Sequence, residues 1–327
     1  MKKIKWIGMM SIILLFISCK KDEKGSVAWE QKSNLPAKAR IGAVGFTING
    51  AGYVGLGMWQ ESRYSNQPEY LNDLWSYNPA TDQWMEKAPF PGSGRMGAIA
   101  FVVDGKVYAG GGTGERGAVN DFWEYDPIAN EWNLAIGMDD TRYYAIGFAV
   151  GEKGYAGLGA YCDRQNNFII LNDFWSYTPN QYEWTKLADF PGNPRIGASV
   201  FTVGRKAYIT AGCNSDQPPV THYSDTYEYD TDNNRWTQKK DLPSKQCRNA
   251  SGFSINGYGY VAFVNGNELW QYNPDTDQWT QKERFPAGYA FNTACFVIDN
   301  KAYFVSDGEN KNLNANELWV YDASKDK

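Results

Sequence analysis

One histidine, His222, stands in 327 residues. A three-histidine zinc centre, or any copper site needing a pair of imidazoles, is thereby excluded. The five cysteines include no CxxC pair, so neither a zinc ribbon nor a thioredoxin-type dithiol has support. Positive charge is not in excess: 32 Lys and Arg stand against 37 Asp and Glu, a formal net charge of -5. That balance argues against nucleic acid, whose phosphates demand a basic surface. Long apolar runs are missing too. The stretch Trp6 to Ile17 is too short to cross a bilayer comfortably as a helix. No P-loop, HExxH or nucleophile elbow occurs.

Aromatics are plentiful, at 16%, beside 33 glycines. With many Asn and Asp, that composition reads as β-strands joined by tight turns. The first residues read as a targeting segment outside the fold. Lys2, Lys3 and Lys5 precede the apolar run, which ends in Phe-Ile-Ser-Cys. This resembles a bacterial lipobox with Cys19 as the lipidated residue, although Phe16 stands where Leu is usual. Residues 1–18 are then a signal peptide and 19–26 a polar tether. Lys20 to Ser26 looks like the charged export tag of surface lipoproteins of the Bacteroidetes; a plain polar tether is the alternative. The expectation is an exported outer-membrane lipoprotein, attached to the membrane through its lipid only. Four cysteines remain, Cys162, Cys213, Cys247 and Cys295, and the sequence does not choose among their three full pairings.

The body of the chain is a repeat. DLWSYNPATDQW, from Asp73, returns as DFWEYDPIANEW, DFWSYTPNQYEW, DTYEYDTDNNRW and ELWQYNPDTDQW, then as ELWVYDASKDK. The tyrosines are Tyr77, Tyr125, Tyr177, Tyr229, Tyr272 and Tyr321, spaced 48, 52, 52, 43 and 49 apart. Before each copy lie two strand-like runs around a turn, such as Asn49-Gly50, Asp104-Gly105, Asn256-Gly257 and Asp299-Asn300. Those residues tolerate the positive φ of a tight hairpin. Each repeat thus supplies four strands, with Tyr on the third and Trp opening the fourth. Large rings on both sides of that turn are expected to pack between neighbouring sheets.

A period near 50, a glycine doublet (Gly110-Gly111) and a Tyr followed after six residues by a Trp resemble the kelch β-propeller family. The doublet is split or degraded in the other repeats. The resemblance implies an all-β, six-bladed propeller over residues 27–327: blade 1 at 37–91, blade 2 at 92–138, blade 3 at 139–191, blade 4 at 192–243, blade 5 at 244–286 and blade 6 at 287–327. The last copy stops before its Trp. Trp29 to Pro36 (WEQKSNLP) matches the fourth-strand phrase WTQKERFP, so residues 27–36 are expected to supply the missing strand and close the ring.

Within that family, galactose oxidase needs two His ligands, so its copper chemistry is not expected with His222 alone, and no cofactor or metal is anticipated. Sialic acid mutarotases are also exported six-bladed kelch proteins. Their chemistry would need an acid/base pair, and Glu61, Glu69 and Asp163 show no spacing that singles one out. Instead an arginine recurs: Arg40, Arg95, Arg142 and Arg195, with Arg248 displaced by one residue in repeat five and Tyr289 near that place in repeat six. It lies at the entry to the innermost strand. Some kelch domains use arginines there to bind acidic peptides, which implies an anion-accepting face, since guanidinium forks suit carboxylates. The alternative is a copied structural role.

Extended loops between the second and third strands carry Trp59, Arg63, Tyr64, Tyr161, Arg164, His222 and Tyr223, side chains suited to a sugar or peptide. Cys213 and Cys247, in adjacent blades, are a candidate disulfide. The expected function is non-catalytic binding of a glycan or peptide with acidic groups, or of a protein partner. The alternative is a sugar mutarotase or epimerase acting on a sialic-acid-like substrate.

Overall fold

The structure is a computed structural model that describes residues 27–60, 67–215, 217–244, 249–264, 266–287, 293–305 and 316–326. Six four-stranded antiparallel sheets form the blades. The innermost strands are Val44–Ile48, Ile99–Val103, Ile146–Val150, Ser199–Val203, Ser251–Ile255 and Ala294–Ile298. Each turns through a two-residue hairpin. Asn49 and Gly50 sit at φ 50° and 74°, Asp104 and Gly105 at 51° and 73°, the left-handed pair that a type I′ turn requires.

The sixth sheet takes its outer strand from the other end of the chain. Trp29–Lys32 pairs with Leu318–Asp322, with Trp29 opposite Tyr321. That is the register of Tyr77 with Trp84 and of Tyr272 with Trp279 in blades 1 and 5.

The repeated aromatics join one blade to the next. The Tyr and Trp rings of a blade lie 4.6 to 5.1 Å apart, as in Tyr229–Trp236 and Trp29–Tyr321. The indole N–H then donates to a backbone carbonyl of the preceding blade. Trp84 bonds Ser33, Trp132 bonds Ala88, Trp184 bonds Ile136, Trp236 bonds Ala188, Trp279 bonds Lys240 and Trp29 bonds Glu283. In every blade but the third, the Asn or Asp five residues after the Tyr serves both sides. Asn130 accepts from the Tyr125 hydroxyl and from the Ala88 amide, and Asp277 from Tyr272 and the Lys240 amide. The motif therefore satisfies its buried hydroxyl while fastening its neighbour, except in blade 3, where Tyr182 takes that place and the Tyr177 hydroxyl is buried without a partner among the described residues. The apolar cores lie between blades: one combines Phe296, Tyr303 and Val320 of blade 6 with Tyr77 and Val54 of blade 1.

The blades alternate. On the innermost strand, odd blades carry Gly45, Gly147 and Gly252, and even blades Ala100, Val200 and Cys295. On the second strand, Gly52, Gly154 and Gly259 alternate with Val107, Ala207 and Ala302. A Cβ on Gly52, Gly154 or Gly259 would come within 2.1, 2.0 or 2.0 Å of the ring of Phe296, Phe101 or Phe201. A Cβ on Gly45 would meet the Cys295 carbonyl oxygen at 2.4 Å, and one on Gly252 the Val200 oxygen at 2.3 Å. Each even blade thus lays its Phe on the glycines of the blade that follows. The ring is built of three close pairs, blades 6 and 1, 2 and 3, and 4 and 5.

Candidate functional site at the channel mouth

The recurring arginines stand at the entry to the innermost strands, as their position in the repeat demands. They are not available to a ligand. Arg40, Arg95, Arg142 and Arg195 are at most 2% exposed. Each forms a two-pronged pair with an aspartate that begins the third strand of its own blade. Arg40 meets Asp73 at 2.7 and 2.8 Å, and Arg95 meets Asp121 at 2.6 and 3.1 Å. Arg142 meets Asp173 at 2.8 and 2.8 Å, and Arg195 meets Asp225 at 2.7 and 2.9 Å. One prong also donates to a carbonyl at the end of the second strand: Leu56, Gly111, Leu158 or Ala211.

The indole N–H groups of Trp75, Trp123 and Trp175 complete the aspartates. Burial pushes the carboxyls of Asp73, Asp121 and Asp173 up, but the guanidinium and indole bonds outweigh it and hold all three below the ordinary aspartate value. The expected anion-accepting ring of Arg40, Arg95, Arg142 and Arg195 is therefore corrected: their charge is already used inside each blade. Arg248 and Tyr289 lie outside the described residues. In blades 5 and 6 the acid is a glutamate. Glu268 accepts from Trp270, Ser244 and Arg284, and Glu317 from Trp319.

The loop residues have varied settings. Trp59 is half-buried, with the Lys38 ammonium 4.9 Å over its ring, and Lys38 also pairs with Glu69. Tyr223 lies under the Arg195 guanidinium, 4.5 Å from its ring, and belongs to that clamp. Tyr161 is half-buried on Ala160–Cys162, while Arg164 and His222 are exposed. The Asp163 carboxylate accepts from the Gln165 and Asn167 amides and from the Asn167 side chain, which closes its own turn. Cys213 is buried, its thiol 3.1 Å from the Ser215 carbonyl. Glu61, Arg63, Tyr64, Cys19, the residue expected to carry the lipid, and Cys247 lie outside the described residues, so the Cys213–Cys247 pairing does too.

Between the arginines and the channel sits a ring that the sequence reading passed over. Two residues after each clamp arginine, or its counterpart, the backbone is left-handed: Gly42 at φ 62°, Gly97 at 61°, Tyr144 at 49°, Gly197 at 60° and Asn249 at 54°. Their amides form a chain around the mouth. Gly97 donates to Gly42, Tyr144 to Gly97, Gly197 to Tyr144 and Asn249 to Gly197, all within 2.8 to 3.0 Å. A bulky residue at positive φ is uncommon and carries strain.

Tyr144 lies across Gly97 toward Gly42, and Asn249 across Gly197. Cβ atoms built on Gly97 and Gly197 would strike the Tyr144 ring at 3.2 Å and the Asn249 side-chain oxygen at 2.0 Å. The mouth encloses a cavity of about 200 Å³, walled by glycines and alanines with Tyr144, Asn249, Ser251, Thr293 and Cys295. Burial pushes the Cys295 thiol well above its ordinary pKa. None of these lining residues carries a charge at neutral pH. The signal was the phrase Arg-x-Gly of repeats 1, 2 and 4, broken by Tyr144 in repeat 3.

The architecture defines a six-bladed β-propeller assembled from kelch repeats. The Kelch motif model matches residues 95–135 and 194–243, in blades 2 and 4. The chain is 28% identical over 248 residues to the N-acetylneuraminate epimerase of Shigella sonnei, covering 75% of this chain and 60% of that protein. It is 26% identical over 237 residues to the enzyme of the same name from Haemophilus influenzae, covering 71% and 57%. The match thus spans about three-fifths of the length of these relatives. A solved structure titled "Structure of YjhT" superposes with a TM-score of 0.71 at 15% identity, covering 88% of this chain and 95% of that one. At that identity the likeness concerns the fold.

Proposed function

We propose that this chain is a ligand-binding propeller, carried on a lipid at Cys19, whose channel mouth holds a hydroxyl-rich group such as a glycan without transforming it. The observation that carries this reading is the uncharged mouth cavity with Tyr144 strained across it. An aromatic face beside amide and hydroxyl groups suits a sugar ring, which offers C–H surface on one side and hydroxyls at its edge. The acidic preference expected from the arginines loses its basis, because their charge is neutralised within the blades. Screening the chain against neutral and acidic glycans tests the reading. Tyr144→Gly relieves the strained φ, so it should weaken glycan binding at least tenfold without lowering Tm. Undiminished binding in that variant places the site elsewhere.

A second reading, an epimerase acting on an N-acetylneuraminate-like sugar, is favoured by the names of the distant relatives. Against it stands the cavity lining, which among the described residues offers no carboxylate, lysine, arginine or imidazole for proton transfer. Following the anomers of N-acetylneuraminate by NMR with the protein added separates the two. Interconversion at the buffer rate removes the enzyme reading, and acceleration removes the binding-only one.

A further inference from the structure

The alternation of the blades extends to a partly buried polar device on the opposite face, where it is broken once. In blade 2, the Lys106 ammonium and the Tyr108 hydroxyl grip the two oxygens of Glu124 at 2.5 and 2.6 Å. In blade 4, Lys206 and Tyr208 grip Glu228 in the same way, at 2.6 and 2.9 Å. The register is shared: Tyr108 stands opposite Glu124 and Tyr208 opposite Glu228. Blade 6 keeps the lysine and the tyrosine as Lys301 and Tyr303, but the residue opposite Tyr303 is Val320.

Loss of that carboxylate leaves its two donors in place and a cavity of about 110 Å³ among them. Tyr303 is 5% exposed, lines this cavity and finds no hydrogen-bond partner among the described residues. Its hydroxyl oxygen is not itself shut away from solvent, so it can donate to whatever enters the slot. Lys301 leans toward Asp322 at 3.4 Å, a looser contact than either Lys–Glu pair of blades 2 and 4.

The charges around the slot are mixed, and the carboxylates of Asp299, Glu30, Asp322 and Asp82 all act on Tyr303. Lys32, Lys301 and Lys325 line it against Glu30 and Asp322. Glu30 is already bound to Lys32 at 2.5 Å, and Asp322 is shared by Lys301, Lys325 and the Ser324 hydroxyl. The volume is that of a few water molecules, enough for a carboxylate with a carbon or two behind it.

We propose that the slot binds a carboxylate supplied from outside the chain, accepting a hydrogen bond from Tyr303 and pairing with Lys301 as Glu124 and Glu228 do in their own blades. The carboxylate could head a small free acid or end a peptide; the chemistry at the slot is shared. Acetate titrated against the full-length chain, followed by NMR of its methyl group, should bind saturably, and acetamide should not. Tyr303→Phe keeps the ring and should weaken acetate at least tenfold. Val320→Glu restores the internal carboxylate, and should abolish acetate binding while raising Tm. A tripeptide with a free C-terminus binding tighter than acetate identifies a peptide end; equal or weaker binding identifies a small acid. Equal binding of acetate and acetamide, or wild-type affinity in Tyr303→Phe, overturns the proposal. So does a crystal structure with the Glu30 carboxylate against the Tyr303 hydroxyl.

Discussion

Odd and even blades solve one packing problem in opposite ways. An odd blade removes side chains, with glycines on its first two strands, and so lets the preceding blade press close. An even blade keeps side chains there and, in blades 2 and 4, ties its second and third strands with a lysine, a tyrosine and a glutamate. Odd blades place Ser76, Ser176 and Gln271 where those glutamates stand. The close interfaces therefore depend on the absence of atoms, and the even blades on polar bonds within the sheet. Two kinds of fragility follow, one steric and one electrostatic.

The arginine clamps cut across this division, since they occur in blades of both kinds. Arg142→Met in an odd blade and Arg195→Met in an even one should each cost about 3–5 kcal/mol, because an aspartate loses its partner in a largely buried site. Urea denaturation checks this, and unequal losses would tie the clamp to the alternation after all. A smaller effect is expected at the glycines. Gly45→Ala or Gly252→Ala forces backbone apart and should cost about 1–3 kcal/mol, whereas Ala100→Gly in an even blade should cost no more than about 1 kcal/mol. Similar losses for both exchanges would erase the distinction between close and ordinary interfaces.

The smallest effect depends on pH. Burial pushes the Glu228 carboxyl up, but bonds from Lys206, Tyr208 and Lys239 prevail and hold it below the ordinary glutamate value. A lowered carboxyl contributes stability above its unfolded-state pKa and loses it as pH falls through the folded one. Glu228→Gln should therefore cost about 1 kcal/mol near neutrality, given the exposure of Lys206, and almost nothing in acid. A loss that is constant with pH would mean the carboxylate is not the source.

The propeller was legible because its signals are local. A hairpin turn needs two residues, and the Tyr and Trp that join the blades lie seven apart. The closing strand was legible for the same reason, since Trp29 to Pro36 repeats a phrase found elsewhere. The arginines were misjudged because their partners are 26 to 33 residues away. A sequence shows where a charge stands, but not whether a distant carboxylate has claimed it. One clue was present: repeats with the arginine begin their third strand after Asp, and those without it after Glu. Tyr144 and Tyr303 went unnoticed on different grounds. The first matters for the sign of its φ, and the second for what is missing opposite it, and neither property is written in the residue itself.

The pairing of Trp29–Lys32 with Leu318–Asp322 also sets an order in time. Blades 1 to 5 each draw their strands from one continuous stretch, so each can form as soon as that stretch exists. The sixth cannot: its outermost strand comes from the start of the sequence and must wait for the far end. Until the two strands meet, the third strand of blade 6 offers an open edge, the kind that recruits foreign strands. Joining the two ends also carries the slow search of a contact between distant residues. The last step of folding is thus the one most exposed to misassembly, and conditions that favour aggregation should act most strongly on it.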